Sequence, residues 1–220
     1  MTGLGHVEPG GPSLTFDLGQ GMSLTKVSVG SMDNNAYLLR SGGASMLIDA
    51  AAEPTRLLAE IGDQPPQTVV TTHRHGDHWQ ALADVAASTR ARLIAGRPDA
   101  DAIASGASVA DLNGVWDGDQ MALGDESLEV IGLVGHTPGS IALVLQDRNG
   151  TTHLFTGDSL FPGGPGRTTN PRSFESLMDD LETKVFARFD DATVVHPGHG
   201  DDTTLGAERP HLAEWRARGW

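Results

Sequence analysis

The stretch from Thr68 to His78 constrains the fold more than any other. Thr68 to Thr72 is a β-branched run that reads as a buried strand. It passes directly into His73-Arg74-His75-Gly76-Asp77-His78. Side chains two apart in an extended segment point the same way, so His73 and His75 can reach one ion from one side. Asp77 and His78 fall where the chain turns into a helix, through Ala87, that carries Leu82, Val85 and Ala86 at helical spacing. They can face a second point nearby. Neutral imidazole and carboxylate suit Zn²⁺, with Zn–N near ~2.0–2.1 Å, and also suit iron.

The same arrangement recurs along the chain. Leu24 to Val29, Ala36 to Leu39 and Ser45 to Ile48 are short runs separated by Asp33-Asn34 and Gly42-Gly43, which predicts an antiparallel meander. Pro54 to Ile61 reads as a helix with Pro in its first turn and Gly62 as its stop. Arg92 to Ala95 reads as a strand. Leu128 to Val134 is a predicted strand that ends at Gly135-His136; after Ile141 to Leu145, His153 to Thr156 ends at Gly157-Asp158. Ser173 to Val185 carries Phe174, Leu177, Leu181 and Val185 on one stripe, which predicts an amphipathic helix. Thr193 to Val195 ends at His196-Pro197-Gly198-His199, and Pro210 to Arg218 reads as a last helix. Each polar cluster therefore follows a strand, the way an α/β scaffold builds a site from loops on rigid supports. His136, Asp158 and His199 are each weak alone, as loop histidines and a turn carboxylate. In this order after strands they are much stronger.

Composition narrows the function. The chain has 220 residues and a formal net charge of −14, which argues against a nucleic-acid surface and against binding to an anionic membrane. An anionic substrate remains open, because bound metal ions would dominate the local field. There is no cysteine, so disulfides, thiolate metal sites and cysteine nucleophiles are excluded. No G-x-S-x-G elbow is present. Gly163-Gly164-Pro165-Gly166-Arg167 lacks the Lys-Ser/Thr ending of a phosphate-binding loop. Residues 1–20 are rich in Gly and Pro and read as an arm or loosely attached first strand, with residues 21–220 as one domain. No secretory leader and no membrane-length apolar run is visible, so a cytoplasmic location is expected.

The set H-x-H-x-D-H at 73–78, G-H-T-P-G at 135–139, G-D-x-L-F at 157–161 and P-G-H-G at 197–200 resembles the metallo-β-lactamase superfamily. The resemblance runs from about Leu24 to His199. It implies an α/β fold, a four-layer αβ/βα sandwich with its metals at one edge between the sheets. It also implies roles: His73, His75 and His136 on one divalent ion, Asp77, His78 and His199 on the other, and Asp158 bridging. Zinc is the expected metal, with iron or manganese admitted by the same donors. Asp77 and Asp158 are the expected catalytic carboxylates, in a hydrolase that uses a metal-bridging hydroxide.

Within the superfamily, the order of motifs and the Asp158–Arg167 stretch look most like hydroxyacylglutathione hydrolase (glyoxalase II) and its short relatives. That similarity implies a small-molecule thioester or ester substrate, with Arg167 in contact with it. Glyoxalase II proper continues into a helical domain that grips glutathione, whereas only Gly200 to Trp220 remain here, so those contacts do not carry over. The alternatives are a persulfide dioxygenase, suggested by Gly166-Arg167-Thr168, with one iron on His73, His136 and Asp158, and a non-catalytic metal-binding member. The other histidines have blander readings. His6 and His211 are expected to be solvated and His153 to be a structural partner. His196, three residues before His199, reads as a non-ligand, with replacing a ligand or orienting one as the alternative. Asp49 is expected to orient a ligand through a hydrogen bond, and Trp79 either lines the site or packs. The oligomeric state is not legible.

Overall fold

The computed structural model describes residues 5–219. Its first sheet runs in chain order through β1 (Leu14–Asp17), β2 (Ser23–Val29), β3 (Asn34–Ser41), β4 (Ala44–Ile48), β5 (Thr68–Thr71), β6 (Arg92–Gly96) and β7 (Leu112–Val115). The first four strands are antiparallel. From β4 onward the pairing is parallel, because α1 (Pro54–Ile61), α2 (Leu82–Thr89) and α3 (Ala100–Ala107) supply the crossovers.

The second half begins with β8 (Gln120–Leu123), β9 (Glu126–Gly132), β10 (Ile141–Gln146) and β11 (Thr152–Gly157). A small hairpin of β12 (Leu160–Phe161) and β13 (Gly164–Pro165) follows, then α4 (Pro171–Asp180). The chain closes with β14 (Val194–Pro197), β15 (Thr203–Thr204), α5 (Leu205–Glu208) and α6 (Leu212–Arg218). The second sheet has the order β15-β14-β11-β10-β9-β8, with β11 and β14 parallel and the other neighbours antiparallel.

Period-two alternation sorts the strands between layers. Met46 and Ile48 of β4, with Val70 and Ile94, join Leu128, Val130, Ile141, Leu143 and Phe155 in a cluster between the sheets. Leu47, Val69 and Leu93 face the other way and bury against Leu57, Ile61, Leu82, Val85 and Ile103 of the helices. On the opposite side, Ala142, Leu154 and Val195 pack against Phe174, Leu177 and Trp215. The four layers follow from this sorting: helices, sheet, sheet, helices.

The elements depart from the sequence reading in several places. Within the stretch read as an arm, Leu14–Asp17 is the edge strand β1, in register with Lys26 through Ser23; residues 1–4 of that stretch lie outside the described residues. The predicted helix Ser173–Val185 starts earlier, at Pro171, where the Asn170 side chain accepts from Ser173 N–H. It then loosens into a π-helical turn at Leu181–Phe186 that keeps Leu181, Val185 and Phe186 buried. Among the described residues no helix is long and apolar enough to cross a membrane.

Backbone bonds tie the sheets together at one edge. Ile141 N–H donates to Thr72 O at 3.0 Å and Asn35 N–H to Gly198 O at 2.8 Å, while within the second sheet Gly198 N–H donates to Gly157 O at 2.9 Å. The loops after β5, β9, β11 and β14 converge there.

Candidate metal centre

At that edge the seven residues singled out in the sequence meet. His73 Nε2, His75 Nδ1 and His136 Nε2 form a triangle with sides of 3.1, 2.8 and 3.3 Å. A second triangle joins His78 Nε2, His199 Nε2 and Asp77 Oδ2, with sides of 3.2, 3.3 and 3.6 Å. A tetrahedral ion with bonds of about 2.1 Å separates its donors by about 3.4 Å, so both triangles have the size of a ligand face. Asp158 lies between them. Its Oδ2 is 3.6 Å from His136 Nε2 and 3.5 Å from His199 Nε2, and its Oδ1 is 3.3 Å from His78 Nε2.

The surroundings aim the ring nitrogens. A carbonyl or carboxylate can only accept, so the ring nitrogen facing it carries the proton. His136 Nδ1–H donates to Arg167 O at 2.7 Å, His199 Nδ1–H to Met32 O at 2.8 Å, and His78 Nδ1–H to Asp49 Oδ2 at 2.9 Å. Thr72 spends its hydroxyl proton on Asp49 Oδ2 at 2.8 Å, so its oxygen accepts from His73 Nδ1–H at 3.1 Å. In all four rings Nε2 is left facing the centre, the orientation a metal requires. Asp49 thus orients a residue of each triangle, His78 directly and His73 through Thr72. Glycine permits the close packing here: a Cβ on Gly198 would lie 2.3 Å from Asp158 Oδ1 and 2.6 Å from His78 Cε1.

The electrostatics show how strongly these groups are coupled. Burial works against a charged His78, yet Asp49 and Asp158 outweigh it and push its pKa up to about 10. Burial likewise opposes protonated His199, and hydrogen bonds to Asp158 and Asp77 push it to about 10. The bond to His199 holds the Asp77 carboxyl well below its ordinary value. Burial alone would raise Asp158, but His199 and His78 hold it far below the usual carboxylate range. His73 is lowered, first by burial and then by repulsion from His78, and His136 is lowered by burial. Metal-free, the centre keeps protons on His78 and His199 and disfavours them on His73 and His136.

A divalent metal fits these residues. Three ring nitrogens converge, and those of His73 and His136, whose Nδ1 atoms carry the protons, present lone pairs to a common point. Asp158 Oδ1 is buried without a hydrogen-bond partner, an expensive arrangement unless a cation takes it.

Several neighbours were not legible. Asp99, fully buried, accepts from Arg74 N–H at 3.1 Å, Gly139 N–H at 3.1 Å and Thr137 Oγ1, and so joins the His73–His78 loop to the 135–139 loop. Asn34, read as a turn residue, begins β3, and its Nδ2 donates to Asp77 Oδ2 at 2.9 Å. Neither position carries a spacing signal, because each acts across the fold.

The remaining candidates are placed plainly. His196 stays outside both triangles, bonded to Asp202 at 3.0 Å and His153 at 2.9 Å, and His153 is its buried partner. Trp79 packs, donating to Arg74 O at 3.0 Å. His6 differs from the solvated reading: it sits 2.6 Å from Asp201 and 3.1 Å from Glu8, and Asp201 raises its pKa. His211 is exposed and stacks on Trp215. Arg167 lines a cavity of about 400 Å³ together with His75, His136, Thr168 and Thr169.

Comparison with known proteins agrees with this geometry. A model of the metallo-β-lactamase superfamily matches residues 29–199. A hydroxyacylglutathione hydrolase from Anaeromyxobacter dehalogenans is 34% identical over 175 residues, covering 76% of this chain and only 61% of that relative's length. Among solved structures, ETHE1 from Myxococcus xanthus superposes with a TM-score of 0.71 at 28% identity, over 86% of this chain and 82% of that one. TTHA1623, solved in a di-iron-bound form, gives 0.68 at 31% identity, over 84% and 96%. The matched span holds all seven residues of the two triangles, and the chain belongs to the metallo-β-lactamase superfamily.

Proposed function

We propose that this chain is a dinuclear metal-dependent hydrolase of small thioesters. The observation that carries the reading is the pair of donor triangles with Asp158 between them, its Oδ1 buried and unpartnered. His73, His75 and His136 would hold one divalent ion, Asp77, His78 and His199 the other, and Asp158 both. Such a pair of ions supplies Lewis acidity that polarises a carbonyl and lowers the pKa of water toward ~7. Asp77 and Asp158 stay ionised through the neutral range, balance the metal charge and accept hydrogen bonds from the attacking water. Asn34 holds the Asp77 carboxylate in place.

The cavity walls favour a thioester over an amide or an oxygen ester. Beside the candidate ligands His75 and His136, the two cavities at the centre are lined by arginine, serine, threonine, proline, valine and glycine. No lysine, tyrosine or further carboxyl stands among the described lining residues to protonate a departing group. An amine or alkoxide leaves poorly without such an acid. A thiol, with an ordinary pKa of about 8.5, leaves as the thiolate. The A. dehalogenans relative is named for hydrolysis of an acylated thiol, which supports the same reading.

Elemental analysis of protein purified without chelator or metal-affinity resin tests the centre, and a panel of thioesters, lactones and β-lactams tests the reaction. About two ions per chain with turnover confined to thioesters is the expected result. A single iron per chain with oxygen uptake on persulfides would replace it with the dioxygenase reading on His73, His136 and Asp158.

A further inference from the structure

The chain carries 29 acidic residues and a net charge of −14, yet the groove beside His75 and His136 has the opposite character. It encloses about 380 Å³, its walls include Arg74, Thr169, Arg172 and Ser173, and no carboxylate is among its described lining residues. It adjoins the cavity of about 400 Å³ lined by Arg167, sharing His75, His136 and Thr169 with it.

Arg172 is placed against local stability, and Arg74 gains only a long ion pair from the fold around it. Arg172 is exposed in the first turn of α4, where the helix dipole disfavours a cation and no acidic residue offsets it. Its side chain makes no ion pair or hydrogen bond with any described residue. Arg74 stands between His73 and His75, beside the site expected to take cations, and among the described residues its one acidic neighbour within ion-pair range is Asp99 at 3.9 Å. A residue that breaks a local rule with no structural return points to a ligand. A guanidinium pairs with carboxylate or phosphate through two parallel N–H bonds.

We infer that this groove is an oxyanion subsite: Arg172 and Arg74 hold a carboxylate or phosphate carried by the substrate on the thiol side of the scissile bond. The subsite deepens the thioester reading by naming the substrate as the acyl ester of an anionic thiol. It would let a strongly acidic protein take an anion, since the groove is lined by two arginines and by no described carboxylate.

Two measurements test it, one with turnover and one without. In the first, acyl thioesters sharing one acyl group are compared in charged and neutral pairs: 3-mercaptopropionate against 2-mercaptoethanol, and phosphopantetheine against pantetheine. The first pair reads a carboxylate, the second a phosphate. At least one charged member is expected to show a kcat/KM about tenfold or more above its neutral partner, through KM, and Arg172→Glu to bring that ratio to one or below. Ratios near one in the wild type, or ratios that Arg172→Glu leaves in place, overturn the subsite. In the second, calorimetry on the metal-loaded protein compares the free thiols themselves, with the same preference expected in Kd and the same loss in Arg172→Glu. Equal affinities within both pairs overturn the subsite. A charge preference in binding with no thioester turned over would sink the thioester reading and keep the subsite.

Discussion

Asp49 does the most at the scale of single residues without belonging to either donor triangle. It sits at the end of β4 with φ +56, a backbone conformation costly for a residue with a side chain. One carboxylate oxygen takes Thr72 N–H at 2.7 Å; the other takes Thr72 Oγ1 at 2.8 Å and His78 Nδ1–H at 2.9 Å. It thereby sets the tautomer of His78 directly and that of His73 through the threonine. Asp49→Asn keeps the shape but replaces a pure acceptor with a group that also donates. The expected outcome is a metal affinity lower by about 10–100-fold at each triangle, the range seen when partners of metal-bound histidines are changed. Competition with a chromophoric chelator measures it. Unchanged affinity would show that Asp49 is a structural carboxylate only. The residue was legible as a candidate because it is a carboxylate directly after a predicted strand. The acceptors Met32 O and Arg167 O were not, since any residue supplies a carbonyl and only the folded path brings these two to a histidine.

The element that most depends on distant support is the loop from β14 to β15, which carries His199. Lys26 of β2, fully buried, donates to Gly200 O and to Asp202 Oδ1, both at 2.7 Å. Asn35 donates to Pro197 O and Gly200 O, and Tyr37 Oη donates to Pro197 O at 2.6 Å. Three residues of the first sheet therefore hold a loop of the second. Lys26→Met removes one partner of a buried pair, and breaking such a pair costs about 3–5 kcal/mol. For a domain of this size that corresponds to a fall of roughly 6–20 °C in Tm. Because the loop carries His199 alone among the candidate ligands, the ion at Asp77, His78 and His199 should be lost first, leaving about one ion per chain. Loss of both ions together, or of neither, would show that Lys26 does not act through this loop. From sequence, Lys26 read as one more strand residue, because charge in a strand usually means exposure and its partners lie over 170 positions away. The same limit explains the elements that were missed. In α3 the sequence Ala-Asp-Ala-Ile-Ala-Ser-Gly-Ala offers only Ile103 as a bulky apolar residue, so no stripe is visible. In β7, Leu112 and Val115 flank Asn113 and Gly114, which breaks alternation. The strands that were legible, β2 to β6, β9 to β11 and β14, are those with runs of consecutive buried residues inside the sandwich.

At the scale of the whole molecule, the buried histidines and carboxylates give the metal-free protein a stability profile with a maximum near neutrality. His78 and His199 are held at about 10, above their ordinary value of 6.5. Their contribution is complete below pH 6.5 and is lost as pH rises toward 10, because the unfolded chain releases these protons first. His153 moves the other way: burial, then repulsion from His196, lowers it. The unfolded state takes up that proton before the folded one does, so stability falls as pH drops below 6.5. Asp77 and Asp158, both lowered, add a further loss as pH falls through and below 3.8. Urea denaturation of chelator-treated protein should therefore give the highest unfolding free energy near pH 6.5, with decline on both sides. The alkaline limb distinguishes this account from general repulsion in an acidic protein. It should flatten in His199→Gln, which removes one of the two titrating groups. It should nearly vanish in metal-loaded protein, whose candidate ligand nitrogens no longer carry the proton that is lost. Proton release on metal addition, read by calorimetry in buffers of different ionisation enthalpy, should accordingly approach two per chain at pH 7. An alkaline limb equally steep in wild type, His199→Gln and metal-loaded protein would place its origin in surface charge and not in the centre.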